Sequence, residues 1–346
     1  DQHESITLQQ PILSRKDNAL PSAAAKAPSH AAGEEAPKST TTLFDGVAAT
    51  LVLKSPKWFQ RRYTAMIHNA LNAIPPTWAV QIFVAPHPQA KEGITSGNVG
   101  LQRLIESNPR VFVTEIDNDI WNEKQKPKLL LVDRWIWEQM KAENVFLFSG
   151  NGAICGNSHF VLQNFTSLDY VGIPWWRHDH MGGDGSTHSL RKKSVMIDVL
   201  KYTSGEGGAG GKPYDGNERE DIFYVRNMIE MNQKGLSNFQ LASSEQTEHF
   251  GGTSKLQSAF GDKDATDKYA IDKYEAERIG APLVLSGTLP NLSYHVRDTV
   301  LELCPEIKVI FPALHDPHCF GAKPDGEKCA ESICALRDSS ERKGGC

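Results

Sequence analysis

Hydrophobic positions change period several times along this chain, and the changes mark its elements. Val47 to Leu53 is a β-branched and apolar run that reads as a strand. Phe59, Tyr63, Ile67, Ala70 and Ile74 then recur at helical spacing until Pro75-Pro76 ends the pattern. Val80 to Ala85 is a second strand, Leu101 to Glu106 a short helix and Val111 to Ile116 a third strand. From Pro127, the residues Leu129, Val132, Ile136 and Met140 predict one helix leading into the apolar run Val145 to Phe148, and Tyr170 to Ile173 is a short fifth strand stopped by Pro174.

Beyond that point the order loosens. Arg191 to Tyr202 and Glu218 to Met231 read as helices separated by a glycine-rich loop, Gly205 to Gly211. Ser243 to Asp267 is polar and reads as irregular, while Pro282 to Leu285 and Lys308 to Phe311 read as edge strands. Strands alternating with helices imply an α/β fold with a mostly parallel central sheet, right-handed crossovers and helices on both faces. In such sheets ligands gather beyond the carboxyl ends of the strands, which directs attention to Ser149-Gly150-Asn151-Gly152 after the central strand.

Composition narrows the function classes. The net charge of −5 over 346 residues gives no general attraction to phosphate backbones or anionic lipid, which disfavours nucleic-acid and membrane-surface roles. Residues 1–42 are rich in Ala, Ser, Pro, Lys and Glu without an apolar period and read as a flexible leader or stem, followed by an α/β domain over 43–315 and a cysteine-containing tail over 316–346. No stretch reaches the roughly 18 consecutive apolar residues of a membrane span. Six cysteines occur, four of them between Cys304 and Cys334, consistent either with disulfides or with reduced thiols. Two sequons, Asn164-Phe165-Thr166 and Asn291-Leu292-Ser293, lean toward a secretory, Golgi-like lumen and a glycoprotein, with a cytoplasmic location as the alternative.

Chemistry-bearing residues fall in a few clusters. Gly182-Gly183-Asp184-Gly185 would let backbone approach a ligand while Asp184 offers a carboxylate to a sugar hydroxyl or a metal; an ordinary turn is the plain alternative. Glu220-Asp221 opens a helix, so one carboxylate can face a cleft as a general base while its neighbour caps or pairs. Trp175-Trp176-Arg177-His178 suits stacking on a sugar or base, or simply packing. His315-Asp316-Pro317-His318-Cys319 matches no closed zinc spacing. Neither a phosphate-loop motif nor a GxSxG elbow is present, and no GxGxxG run follows the first strand, which argues against a dinucleotide-binding oxidoreductase.

The segments Ile67-His68-Asn69-Ala70-Leu71, Pro76 to Phe83, Phe146-Leu147-Phe148, Asp169 to Trp175, Ser189-Leu190-Arg191, Glu220-Asp221 and Cys304-Pro305-Glu306, in that order, resemble an uncharacterised fungal and algal domain family described as glycosyltransferase-like. The likeness runs from about Gly46 to Phe311. It implies a GT-A-like fold, a nucleotide-sugar donor, an unidentified glycan, protein or lipid acceptor, and a divalent cation, Mn2+ or Mg2+. By that resemblance Asn151 stands where the family places an aspartate for metal or donor contact, and Gly182-Gly183-Asp184-Gly185 matches its glycine-rich motif. Glu220 and Asp221 match its acidic pair, with Asp221 as the base. A later Gly-Val-His segment falls near Leu285-Ser286-Gly287, without the histidine.

The resulting expectation is a glycosyltransferase. The first strand and its loop, with Thr50 and Ser55, would contact the nucleotide. Asn151 and Asp184 would meet the diphosphate or metal, with Gly182, Gly183 and Trp175 lining the donor, and Glu220 and Asp221 would serve the acceptor. The alternative is a catalytically silent carbohydrate- or nucleotide-binding module of the same fold.

Overall fold

The computed structural model describes residues 44–53, 57–150, 152–174, 181–206, 210–251, 281–286 and 301–310. Ser55, Asn151, Trp175, Asn291, the leader and the C-terminal tail with its cysteines lie outside them.

Strand β1 (Gly46–Val52) leads to α1 (Lys57–Ala73) and β2 (Trp78–Val84), then through α2 (Pro88–Glu92) and α3 (Val99–Ser107) to β3 (Val111–Glu115). Helices α4 (Asn118–Lys124), α5 (Pro127–Leu130) and α6 (Arg134–Gln139) precede β4 (Asn144–Leu147). There follow β5 (Gly152–Ile154), a 3-10 turn at Leu162–Phe165, β6 (Tyr170–Ile173), β7 (Asp184–Lys192), α7 (Lys193–Ser204), α8 (Glu220–Gln233), α9 (Ser244–Phe250), β8 (Val284–Ser286) and α10 (Ile307–Ile310).

Six strands form one sheet in the order β3-β2-β1-β4-β7-β6, and β5 pairs with β8 in a small antiparallel sheet. Strands β1 to β4 are mutually parallel; β7 runs antiparallel to both β4 and β6, so five of the six strands point the same way. The mostly parallel α/β class expected from the alternating pattern is therefore what the structure shows.

Both faces of the sheet are covered. On one face Ala48, Val80, Ile82 and Phe146 pack with α1 residues such as Met66, Ile67 and Ala70. On the other Val47, Ala49, Phe83 and Val145 pack with Ile136 and Trp137 of α6, Val199 of α7 and Phe223 and Met228 of α8. Burial on both faces explains why the central strands read as continuous apolar runs rather than alternating ones.

Several elements differ from the sequence reading. The single helix expected from Pro127 is two, because the Asp133 carboxylate accepts from Trp135 N at 2.9 Å and starts α6 afresh. The segment Asp184 to Lys192 is a strand, so the helix expected from Arg191 begins only at Lys193. Ser244–Phe250 is helical, opened by the Ser243 cap that accepts from Gln246 N. Ile307–Ile310 is a helical turn instead of an edge strand, a choice that a four-residue apolar run leaves open.

Cys155 and Cys304 form a disulfide across 149 positions. It fastens the end of β5 to the turn before α10, inside the same core that α1 covers.

Candidate functional site at the carboxyl edge of the sheet

Parallel β1 and β4 and antiparallel β7 bring their ends to one edge. Ala49 lies beside Leu147, Leu147 beside Ser189, and Asp184 at the start of β7 pairs with Ile173 at the end of β6. Thr50 and Asp184 thus share the carboxyl edge, two strand spacings or about 10 Å apart across the sheet. Thr50 itself is buried, and alternation points it with Ala48 and Val52 toward the α1 face.

The glycines that precede Asp184 explain the bend that delivers it. Gly182 and Gly183 adopt φ +85° and +83°, a region that favours glycine. Gly172 N donates to Gly182 O at 2.6 Å, and a Cβ on Gly183 would fall 2.6 Å from Gly172 O. Both glycines are buried, so they serve the close approach of two backbones, and neither is presented to a ligand.

Asp184, Arg219 and Asp221 converge. The Arg219 guanidinium bonds the Asp184 carboxylate through Nη2. It also holds Asp221 twice, Nη2 to Oδ2 at 2.8 Å and Nε to Oδ1 at 3.2 Å. Asp221 accepts further from Gly185 N at 2.9 Å and from Ile222 N at 2.9 Å. The Asp221 side chain is completely buried, that of Asp184 is 19% exposed and that of Arg219 44% exposed, so the cation is the member that faces outward. Burial, reinforced by the neighbouring Glu220 and Asp184 carboxylates against the opposing pull of Arg219, pushes the Asp221 carboxyl up to about 6.

Glu220 points the other way, into the core. Arg191 of β7 grips it in a fork, Nη1 to Oε2 at 2.8 Å and Nη2 to Oε1 at 2.9 Å, while Arg191 Nη2 also donates to Gly185 O at 3.1 Å and Nε to Ser189 Oγ at 2.9 Å. The guanidinium lies 5.0 Å from the Tyr170 ring centre, 5.6 Å from that of Tyr224 and 5.8 Å from that of Trp137. Burial works against its charge, yet Glu220 holds its pKa above the ordinary value. Tyr170 Oη, buried beside this pair, finds no hydrogen-bond partner among the described residues.

The acidic pair is therefore corrected in one respect. One carboxylate was expected to face a cleft, but both are buried, because each is taken up by an arginine: Glu220 by Arg191 in the core and Asp221 by Arg219 at the edge. Helix α8 thereby presents Arg219, at its start, where the sequence reading placed a base.

A second polar cluster went unread. His188, buried on β7, meets Ser286 Oγ of β8 through Nδ1 at 3.1 Å, and Ser286 Oγ donates to Thr187 Oγ1. Since that serine proton is committed to Thr187, the Ser286 oxygen accepts from His188 Nδ1–H. Burial lowers the His188 pKa to about 3, so the imidazole is neutral. Ser286 lies in the segment near which the family's Gly-Val-His was placed above, and His188 faces it from β7.

The divalent cation that the resemblance implies does not fit the described residues. Hard cations require several oxygen ligands. Both Asp221 oxygens already accept from Arg219 and backbone N–H groups, Asp184 Oδ1 is held by Arg219, and no group of three His, Cys, Asp or Glu side chains assembles among the described residues. A separate groove of about 200 Å3 between α1 and α10, lined by His68, Asn69, Asn72, Ile154 and Val309, shares none of these residues. No helix among the described residues is long and apolar enough to cross a membrane.

Residues 110–267, just under half of the chain, match the family described as "Protein of unknown function (DUF5672)", a span that contains Asp184, Arg191, Arg219, Glu220 and Asp221. No curated protein matches the sequence. Among solved structures, the chain is similar to the glycosyltransferase GlyE of Streptococcus pneumoniae TIGR4, with 12% identity and a TM-score of 0.36, over 70% of this chain and 54% of that one. It is similar to the galactosyltransferase LgtC in complex with donor and acceptor sugar analogues, with 8% identity and a TM-score of 0.41, over 77% and 95% of the two chains. Mouse xyloside xylosyltransferase 1 gives 9% identity and a TM-score of 0.38, over 71% and 97%. The chain spans about half the length of GlyE. The geometry, not these likenesses, carries the functional reading.

Proposed function

We propose that this protein is a glycosyltransferase that binds a nucleotide-sugar donor at the carboxyl edge of β1, β4 and β7 and transfers the sugar to an acceptor hydroxyl. The observation that supports it most is Arg219, a half-exposed guanidinium anchored from below by buried Asp221 and covered from the side by Asp184. A diphosphate reaching that edge offers pairs of oxygens that a guanidinium fork holds as it holds a carboxylate, and it carries more charge, so it takes the place of Asp184 on the guanidinium. Asp221 keeps the guanidinium aimed throughout and is a positioning residue rather than the base. Positive charge beside the departing diphosphate stabilises the charge that develops as the sugar leaves, which is the largest kind of contribution a fixed site makes.

The test is calorimetric titration and thermal shift with nucleoside diphosphates and nucleotide sugars. At least one is expected to raise the melting temperature, and its affinity is expected to survive a chelator. Arg219→Met removes charge-assisted bonds of about 1.5–3 kcal/mol and should weaken binding roughly 10- to 150-fold. Asp184→Asn, by releasing the guanidinium from a competing carboxylate, should strengthen diphosphate binding. If no donor binds, or if Arg219→Met binds as the parent does, the reading fails.

The burial of Asp221 and Glu220 favours a second reading, a module that binds the nucleotide sugar without turnover. It predicts the same affinities and no released diphosphate when donor is supplied with an acceptor panel.

A further inference from the structure

We propose that Asn164 carries an N-linked glycan and that the protein matures in an oxidising secretory lumen. Two independent observations meet here. Asn164-Phe165-Thr166 is a complete acceptor triplet, and the fold displays its asparagine: Asn164 and Gln163 are exposed in the 3-10 turn while Phe165 between the flanking residues is buried in the core. Nine residues earlier in the sequence, Cys155 forms a disulfide with Cys304 that joins two buried positions, a bond that persists in the compartments where glycans are added and is rare where thiols are kept reduced.

The hydrogen bonding at the turn leaves the acceptor atom available. Asn164 uses its amide oxygen, which accepts from Val161 N at 2.8 Å, and Thr166 Oγ1 donates to Gln163 O at 2.9 Å. The amide nitrogen Nδ2 donates to none of the described residues. A glycan is joined through that nitrogen: Nδ2 forms a bond to C1 of a lipid diphosphate-linked oligosaccharide, the C1–O bond breaks, the lipid diphosphate leaves with the electron pair, and an amide proton passes to the transferring enzyme. The amide oxygen and its bond to Val161 N are untouched, so the modified turn keeps its geometry. Val161, an apolar side chain left 46% exposed beside it, lies where the first sugar can cover it. The turn feeds the amino end of β6, whereas Asp184 pairs with Ile173 at its carboxyl end, so the glycan does not crowd the Arg219 edge.

The experiment is peptide mapping of the full protein isolated from its own cells. Alkylation before reduction should leave Cys155 and Cys304 unlabelled, and labelling should follow reduction. Treatment with peptide-N-glycosidase in heavy-oxygen water should convert Asn164 to aspartate carrying the heavy isotope, with a glycan-sized fall in apparent mass. Thr166→Ala should abolish occupancy and Thr166→Ser retain it, which separates loss of the acceptor from loss of folding. Unmodified Asn164, or free Cys155 and Cys304 in the native protein, overturns the proposal whatever the outcome of the nucleotide titrations.

Discussion

Replacing Arg191 by Met tests how α8 is held against β7. In the folded chain both Arg191 and Glu220 are buried and bound by two parallel hydrogen bonds, so removing the cation alone strands a carboxylate in the core, at a cost of about 3–5 kcal/mol. The double variant Arg191→Met, Glu220→Leu removes both charges. What it still loses is the donor to Gly185 O and the cation above three aromatic rings, about 1–3 kcal/mol. Urea unfolding followed by far-UV circular dichroism should therefore rank parent, double variant and single variant in that order, with the single variant melting on the order of 10 °C lower. A single variant losing less than about 1 kcal/mol, or a double variant as unstable as the sum of both singles, would refute the idea that the pair acts as one buried unit.

Burial pushes the Asp221 carboxyl up from its ordinary 3.8 to about 6, so its contribution to stability is present in full below about pH 4 and is lost as pH rises through 6; Asp221→Asn should flatten the stability profile across that window, as chemical denaturation at stepped pH will show. Cys155→Ser should destabilise by about 2–5 kcal/mol and abolish the sensitivity of the melting temperature to reductant, and an unchanged response to reductant would mean that the bond contributes nothing. Gly185→Ala places a methyl against the Tyr170 hydroxyl and the Arg191 guanidinium, and should cost about 1–3 kcal/mol in the same unfolding assay, more than alanine at Gly210, where a Cβ meets none of the described residues.

Much of the sheet was legible because its strands are buried on both sides. Val47 to Leu53, Val80 to Ala85 and Tyr170 to Ile173 stand within two residues of β1, β2 and β6. Strand β7 was not legible. Its sequence, Asp184 to Lys192, carries Thr187, His188, Ser189 and Arg191, and the polar groups find partners within β7, on β8 and on α8 rather than in water, so no apolar period survives. The carboxylates Asp184, Glu220 and Asp221 were visible as residue types; Asp184 and Asp221 were expected to meet at the edge together with Asn151, which lies outside the described residues. The two arginines that decide what those carboxylates do were not singled out: Arg219 directly precedes the acidic pair and Arg191 closes the Ser189-Leu190-Arg191 segment, but only the pairing of β7 with β4 and its packing under α8 brings each to its partner. Thr50 lies on the expected edge with its side chain turned into the core, a detail of strand phase that a one-residue shift would reverse.

The covalent link between Cys155 and Cys304 has a practical meaning for anyone handling the protein. Strands β6 and β7 and helices α7 and α8, with every carboxylate and arginine of the edge site, belong to the closed ring that it ties. A protease that nicks the ring once produces two polypeptides still joined, migrating as one species until a thiol is added, and a nicked sample can retain the Arg219 edge intact while appearing cleaved on a reducing gel.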